Sequence, residues 1–225
     1  MILLGSVVNG GAVVVGGLVG MFVGKLLPER LRTSVMAALS LMTIGIAVPG
    51  LLKSNNALIP IISMVVGTLI GELLDIDSAV NKLGEKLQKR FSGSRITEGF
   101  VTGSLVFAVG ALAVMGPLES GLQHQHSLLF SKSVIDGVAS IVFASTMGLG
   151  VALSGITVFV VEGSIALLAS VVAPYLGEAV VNEITFVGSL LIVGISLNLL
   201  GATKLRILNL VPAILLPNLL CRFMG

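Results

Sequence analysis

Tryptophan is missing altogether, tyrosine occurs once, and only 11% of the 225 residues are formally charged. A soluble domain carries about a quarter. So little charge excludes an ordinary water-soluble domain of this length. The single cysteine, Cys221, excludes an internal disulfide and leaves the redox compartment open. A net charge of +2 is too small to point to nucleic acid. No polar stretch is long enough for a second domain, so residues 1–225 are expected to form a single integral membrane domain. Catalytic signatures are missing too: there is no Walker loop, nucleophile elbow or helical His-Glu-x-x-His pair. Neither enzyme activity nor a cofactor is expected.

What is present is apolar. Hydrophobic residues make up 55% of the chain, glycines number 28, and the mean hydropathy is +1.10. Glycine is commoner in membrane helices than in soluble ones. The first hydrophobic run starts at Ile2 without a basic flank and is too long for a cleavable signal, so it is expected to remain as an anchor. A membrane helix needs roughly 17–25 mainly apolar residues. Such runs fall at about 2–24, 33–52, 57–74, 98–115, 133–152, 156–173, 184–200 and 205–221. The predicted fold class is all-α, a polytopic transmembrane helix bundle of seven to eight spans. Pro212 and Pro217 interrupt the last run, which fits either a crossing or a re-entrant hairpin.

Charge orients the spans. Lys25, Arg30, Arg32, Lys82, Lys86, Lys89, Arg90, Arg95, Lys204 and Arg206 fall on the odd-to-even connections, against Lys53, Lys132 and Arg222 on the other side. Cytoplasmic loops carry the lysine and arginine excess. The N-terminus is therefore expected outside, and the C-terminus too if all eight runs cross. Between Asp75 and Arg95, Ile76, Val80, Leu83, Leu87 and Phe91 recur at helical spacing, with Lys82, Glu85, Lys86 and Lys89 elsewhere on the wheel. This pattern predicts an amphipathic helix over 76–92. It lies either on the cytoplasmic headgroups or against the bundle.

The chain resembles itself. Leu27-Pro28-Glu29 aligns without a gap to Leu176-Gly177-Glu178, as do Ser40-Leu41 to Ser189-Leu190 and Gly45-Ile46 to Gly194-Ile195. Pro60 and Pro212 follow at nearly the same distance. Spans one to three thus match spans six to eight. The offset of five spans is odd, so the copies face opposite ways. The Lys25–Arg32 loop is basic, and its counterpart from Pro174 to Glu183 holds no basic residue. Inverted repeats mark many secondary transporters. A second match, in one orientation, joins Gly20-x-x-x-Gly24-Lys25-Leu26-Leu27 to Gly67-x-x-x-Gly71-Glu72-Leu73-Leu74. Chance alignment of apolar sequence competes with both matches.

Ionisable groups inside spans are costly, and therefore informative. Asp136 is placed about one turn inside the fifth span, four residues after Lys132, a spacing that puts both on one helix face. Glu162 is placed under two turns inside the sixth span from the cytoplasmic side. Asn9 and Asn198 add amides, and Ser140 belongs to a stripe of small residues with Ser133, Gly137, Ala144 and Gly148. The candidate substrate- or ion-binding residues are Asp136, Lys132, Glu162, Asn9, Ser140 and Asn198. Helix-to-helix pairing competes for the acids, and plain packing for the stripe and the Gly-x-x-x-Gly pairs. Glu72, Glu98 and Glu119 are read as reaching the interface. His124 and His126 lack a third ligand nearby, so they are read as a solvated loop and no metal is expected.

Leu27-Pro28-Glu29-Arg30-Leu31-Arg32, Gly67-Thr68-Leu69-Ile70-Gly71-Glu72, Lys132-Ser133-Val134-Ile135-Asp136 and Phe143-Ala144-Ser145-Thr146-Met147-Gly148 resemble the YdfK/YqgA family, domain of unknown function 554. The resemblance covers nearly the whole chain. It implies a bacterial inner-membrane protein, described at most as a candidate transporter, with no established substrate. Residues 123–126 match no pattern of that family.

The leading expectation is a secondary-type permease for an unidentified small solute or ion. The alternatives are a non-transporting scaffold or sensor and an ion channel. A transporter or channel should show a water-accessible cavity reaching Asp136 or Glu162, whereas a scaffold should show those groups paired and dry. The expected partners are the lipid bilayer, the solute or ion, and a second copy of the chain in a homodimer held by the glycine pairs.

Overall fold

The computed structural model describes residues 1–82 and 95–224, and among these there are helices and no strands. The first three are α1 (Leu4–Lys25), α2 (Glu29–Leu51) and α3 (Leu58–Leu74). They are followed by α4 (Ile76–Lys82), α5 (Ile96–Ala108) and α6 (Ala111–Gln123). Then come α7 (Ser127–Met147), α8 (Leu149–Leu167), the short α9 (Ala169–Val172) and α10 (Glu178–Leu199). The last span is α11 (Ile207–Leu210), a 3-10 turn (Val211–Ile214) and α12 (Leu216–Met224).

Five of these helices, α1, α2, α7, α8 and α10, are each long and apolar enough to cross a membrane. Three bent pairs raise the count to as many as eight: α3 with α4 at 49°, α5 with α6 at 59°, and α11 and its 3-10 turn with α12 at 43°. The protein is thus a multi-pass helical membrane protein. Of the expected amphipathic helix, the start is α4; positions 83–92 lie outside the described residues.

The breaks have local causes. After α5, Val109 is extended and Gly110 sits at φ +123°, where a side chain would be strained. The fourth span, expected as one helix over 98–115, is therefore two helices meeting at that glycine. Gly148, at φ +72°, separates α7 from α8. These two helices start six to seven residues before the runs expected at 133–152 and 156–173. The polar start of α7 looks like loop by hydropathy, but its Lys132 is only 6% exposed and buried among partners. Lys132 therefore leaves the count of basic residues on the second surface.

Packing divides the chain into two groups. In one, α1 lies between α7 and α8, and α8 also carries α5 and α6; in the other, α2 packs on α10, and α3 on α11, its 3-10 turn and α12. Glycines set the closeness. A Cβ at Gly20 would fall 2.2 Å from the Ile141 carbonyl oxygen, and one at Gly24 equally close to that of Ser145. Gly5 faces Leu129 at the other end, so α1 and α7 run parallel. Gly10 and Gly155 face each other across the antiparallel pair α1 and α8. Gly67 and Gly71 press on Ala213 and Asn209. Both Gly-x-x-x-Gly pairs are thus used inside one chain, which removes the reason given for a homodimer.

One end of the molecule gathers Lys25, Arg30, Arg95, Lys204 and Arg206. There Arg206 Nη1 donates to Glu72 Oε2 at 2.8 Å, and Nη2 contacts Asp75. The Asp77 amide donates to Asn209 Oδ1 at 2.8 Å. These contacts fasten the end of α3 to the start of the last span.

Candidate functional site

Helix α7 presents Lys132 and Asp136 four residues apart, on the face that meets α1 and α5. The parallel contact with α1 brings Asn9 alongside, and the antiparallel α8 brings Glu162. All four are buried: Asn9 and Glu162 are fully enclosed, Lys132 is 6% exposed and Asp136 7%. Lys132 Nζ ion-pairs with Asp136 and lies 3.3 Å from Glu162 Oε1. Asn9 Nδ2 donates to Asp136 Oδ2 at 3.1 Å and to Glu162 Oε1 at 2.8 Å.

The break after α5 supplies the remaining contact. A helix that stops leaves its last carbonyls without amide partners. Phe107 O is one of these, and Lys132 Nζ donates to it at 2.6 Å. The site therefore joins two carboxylates, one ammonium, one amide and the open end of a broken helix. Removing the ammonium from such a buried network leaves its carboxylates uncompensated, at about 3–5 kcal/mol.

Four of the six residues singled out from sequence meet here. Glu162 is not near the basic end, as expected; it lies thirteen residues from the start of α8 and five from its end. Asp136 lies near the middle of α7 rather than one turn in. Ser140 is elsewhere: its hydroxyl donates to Gly137 O at 2.8 Å and its flank packs on Gly16. Asn198 shapes the turn after α10, donating to Leu205 O and accepting from Thr203 and the Leu205 amide. The part of Phe107 escapes side-chain reasoning because a backbone atom carries it, although Gly110 marks the break. Ser6, one turn before Asn9, is also fully buried and without a partner. His126 is half-buried, its Nδ1 2.8 Å from Ser120 Oγ, rather than solvated.

The family described as "Protein of unknown function (DUF554)" matches residues 4–222. The chain belongs to this family. Among its relatives, "Uncharacterized membrane protein YdfK" of Bacillus subtilis (strain 168) is 31% identical over 219 residues, covering 96% of this chain and 94% of that protein. "Uncharacterized protein YqgA" of Escherichia coli (strain K12) is 26% identical over 220 residues, covering 95% and 94%. No solved structure matches.

Two cavities open at the basic end, along the seam between the two helix groups. One of about 270 Å³ is lined by Glu29, Thr33, Met36, Arg95, Thr146 and Leu199. The other, about 290 Å³, is lined by Asp77, Asn81, Glu98, Thr102, Asn198 and Leu208 among others. Neither is lined by Asp136 or Glu162. The charged cluster is paired and closed in this conformation.

Proposed function

We propose that this DUF554 protein is a secondary-type membrane transporter for a small solute or ion, with the Lys132, Asp136, Glu162 and Asn9 cluster as its coupling site. One observation carries the reading: buried charges inside the spans meet the free carbonyl of a broken helix. Discontinuous helices and intramembrane ionisable groups recur together in such carriers.

The packing supports an inverted repeat. The expected counterparts α1 and α8, α2 and α10, and α3 and the last span are antiparallel neighbours in each case. Helices α2 and α10 both start at the aligned glutamate, after Pro28 at φ −61°, ψ 150° and Gly177 at φ −61°, ψ 165°. Helix α1 runs parallel to α7 as α8 does to α5. A pseudo-two-fold in the membrane plane would map each helix group onto itself. The basic loops support a cytoplasmic position for the cavity-bearing end in a bacterial cell, with both termini outside. A homodimer stays part of the reading because so small a chain has few helices with which to enclose a path, and no catalytic step is proposed.

A second reading, the scaffold or sensor, is favoured by the closed and paired state of the cluster. Proteoliposomes on a solid-supported membrane separate the two. Inorganic ions, amino acids and short carboxylic acids are applied with and without a pH gradient. A solute-dependent current that Asp136→Asn abolishes supports transport. Silence across the panel from folded protein favours the scaffold.

A further inference from the structure

The cluster is short of hydrogens. An ammonium has three to donate and a primary amide two. Lys132 donates to Phe107 O and Asp136 and ion-pairs with Glu162 Oε1 at 3.3 Å, and the two hydrogens of Asn9 go to Asp136 and Glu162. Left over are Asn9 Oδ1 and Glu162 Oε2, both buried without a partner, with the unpartnered Ser6 Oγ one turn away on α1. An unmet buried acceptor forfeits its hydration with nothing in return. Charge is short as well: two carboxylates face one ammonium, which leaves one negative charge unbalanced inside the spans.

One added positive charge settles both deficits. We propose that it is a proton, carried on Glu162 Oε2 and donated to Asn9 Oδ1, so that the cluster binds a single exchangeable proton. The amide and the carboxyl are already joined by the 2.8 Å bond from Asn9 Nδ2. A hydrogen on the second oxygen closes the two-bond ring of an acid–amide pair. A hard metal cation fits less well, because it takes about six oxygens. The cluster offers three unpartnered ones, and the Lys132 ammonium lies 3.3 Å from the same carboxyl. The charged and polar groups facing Glu162 are Lys132 and Asp136 from α7 and Asn9 from α1; the Phe107 carbonyl of α5 reaches it only through Lys132. Glu119, the titratable residue of α6, bonds Ser127 at an exposed position instead. The use of this proton as coupling ion rests on the transporter reading above; the proton site itself does not.

Infrared difference spectra between acid and alkaline pH, recorded on protein reconstituted in lipid, test the site without any substrate. The wild type should show a protonated-carboxyl band that titrates, shifts in deuterated water and is lost in Glu162→Gln. Lys132→Met leaves two carboxylates without an ammonium and should add a second such band. A wild type lacking the band overturns the proposal, as does a band that survives in Glu162→Gln. Exchanging choline for sodium at fixed pH should leave the band in place; its loss would give the extra charge to the metal ion and overturn the proton. If Glu162→Gln does not fold, the wild-type band and its response to sodium still decide. Transport without the band removes the proton, and the band without transport removes the transporter reading.

Discussion

A single methyl group at position 20 measures how closely α1 and α7 are joined. The Cβ of Gly20→Ala would lie 2.2 Å from the Ile141 carbonyl oxygen, where ordinary contact begins at 3.4 Å, a shortfall of 1.2 Å. The obstacle is helix backbone, which has no rotamer to move to. Gly16 and Gly24 make the same approach, 2.3 Å from Gly137 O and 2.2 Å from Ser145 O, so the helices must part along their length. Overpacking of this kind costs about 1–3 kcal/mol. The better helix propensity of alanine returns roughly 0.5–1 kcal/mol. A net loss near 1–2 kcal/mol lowers the melting temperature by about 2–8 °C for a chain of this size. Circular dichroism in detergent reads it, since the chain has no tryptophan. Gly11→Ala and Gly45→Ala meet nothing within 4 Å and should melt at or above the wild type. A Gly20→Ala protein as stable as the wild type, or controls equally weakened, would refute the backbone contact that carries Asn9 to Asp136.

Four further predictions concern the cluster, the termini and the basic end. Asp136→Asn keeps one carboxylate and one ammonium in the cluster, so it should fold, lose only about 1–2 kcal/mol in a denaturant titration and abolish coupled flux. Lys132→Ala strands both acids and should lose about 3–5 kcal/mol. Reporter fusions at Met1 and after Gly225 should both read as external; a cytoplasmic C-terminus would mean that the last span does not cross. At the basic end, the Ser78 hydroxyl and then Arg206 hold the Asp75 carboxyl below its ordinary 3.8. Its stabilisation is present above that value and is lost as pH falls through the lowered one, an acid limb that Asp75→Asn should remove from a pH–stability profile.

Much of the fold is legible because the bilayer imposes a length and a polarity that composition must satisfy. The runs for α1 and α3 are found nearly in place for that reason, while α2 and α10 end within a residue of theirs but start four and six residues earlier. Helices α7 and α8 are misplaced because hydropathy treats Lys132 as a surface residue, whereas its charge is answered by Asp136 and Glu162 on two different helices. Such pairing across the bundle has no signature in a window of neighbouring residues. The i,i+4 relation of Lys132 and Asp136 is local and so readable, and Asn9 and Glu162 stand out as polar groups among apolar ones. Their convergence depends on glycine contacts that look alike whether they join two helices of one chain or of two. Ser140 shows the converse: a hydroxyl beside a charged residue in sequence is turned onto its own helix backbone.

The division into two helix groups explains why a closed cluster suits a transporter. Every contact that fixes the distances among Lys132, Asp136, Glu162 and Asn9 lies within the group of α1, α5, α7 and α8, where glycines bring the backbones together. On the transporter reading, a path to it from the basic end would follow the seam with the other group, where the two cavities lie. Phe107 stands at the crossing: its carbonyl takes Lys132, while its ring packs edge-on against Phe143 with centroids 6.0 Å apart. That ring belongs to one apolar core with Met36 and Leu39 of α2, and Met36 also lines the cavity of about 270 Å³. The apolar core that holds the Phe107 ring thus includes α2 side chains that reach the wall of that cavity. On the transporter reading, a shear between the groups that lifts Met36 and Leu39 away would open a route to Lys132 and leave the charged geometry intact. On that reading the group of α1, α5, α7 and α8 keeps the cluster at fixed distances, and the seam alone has to change.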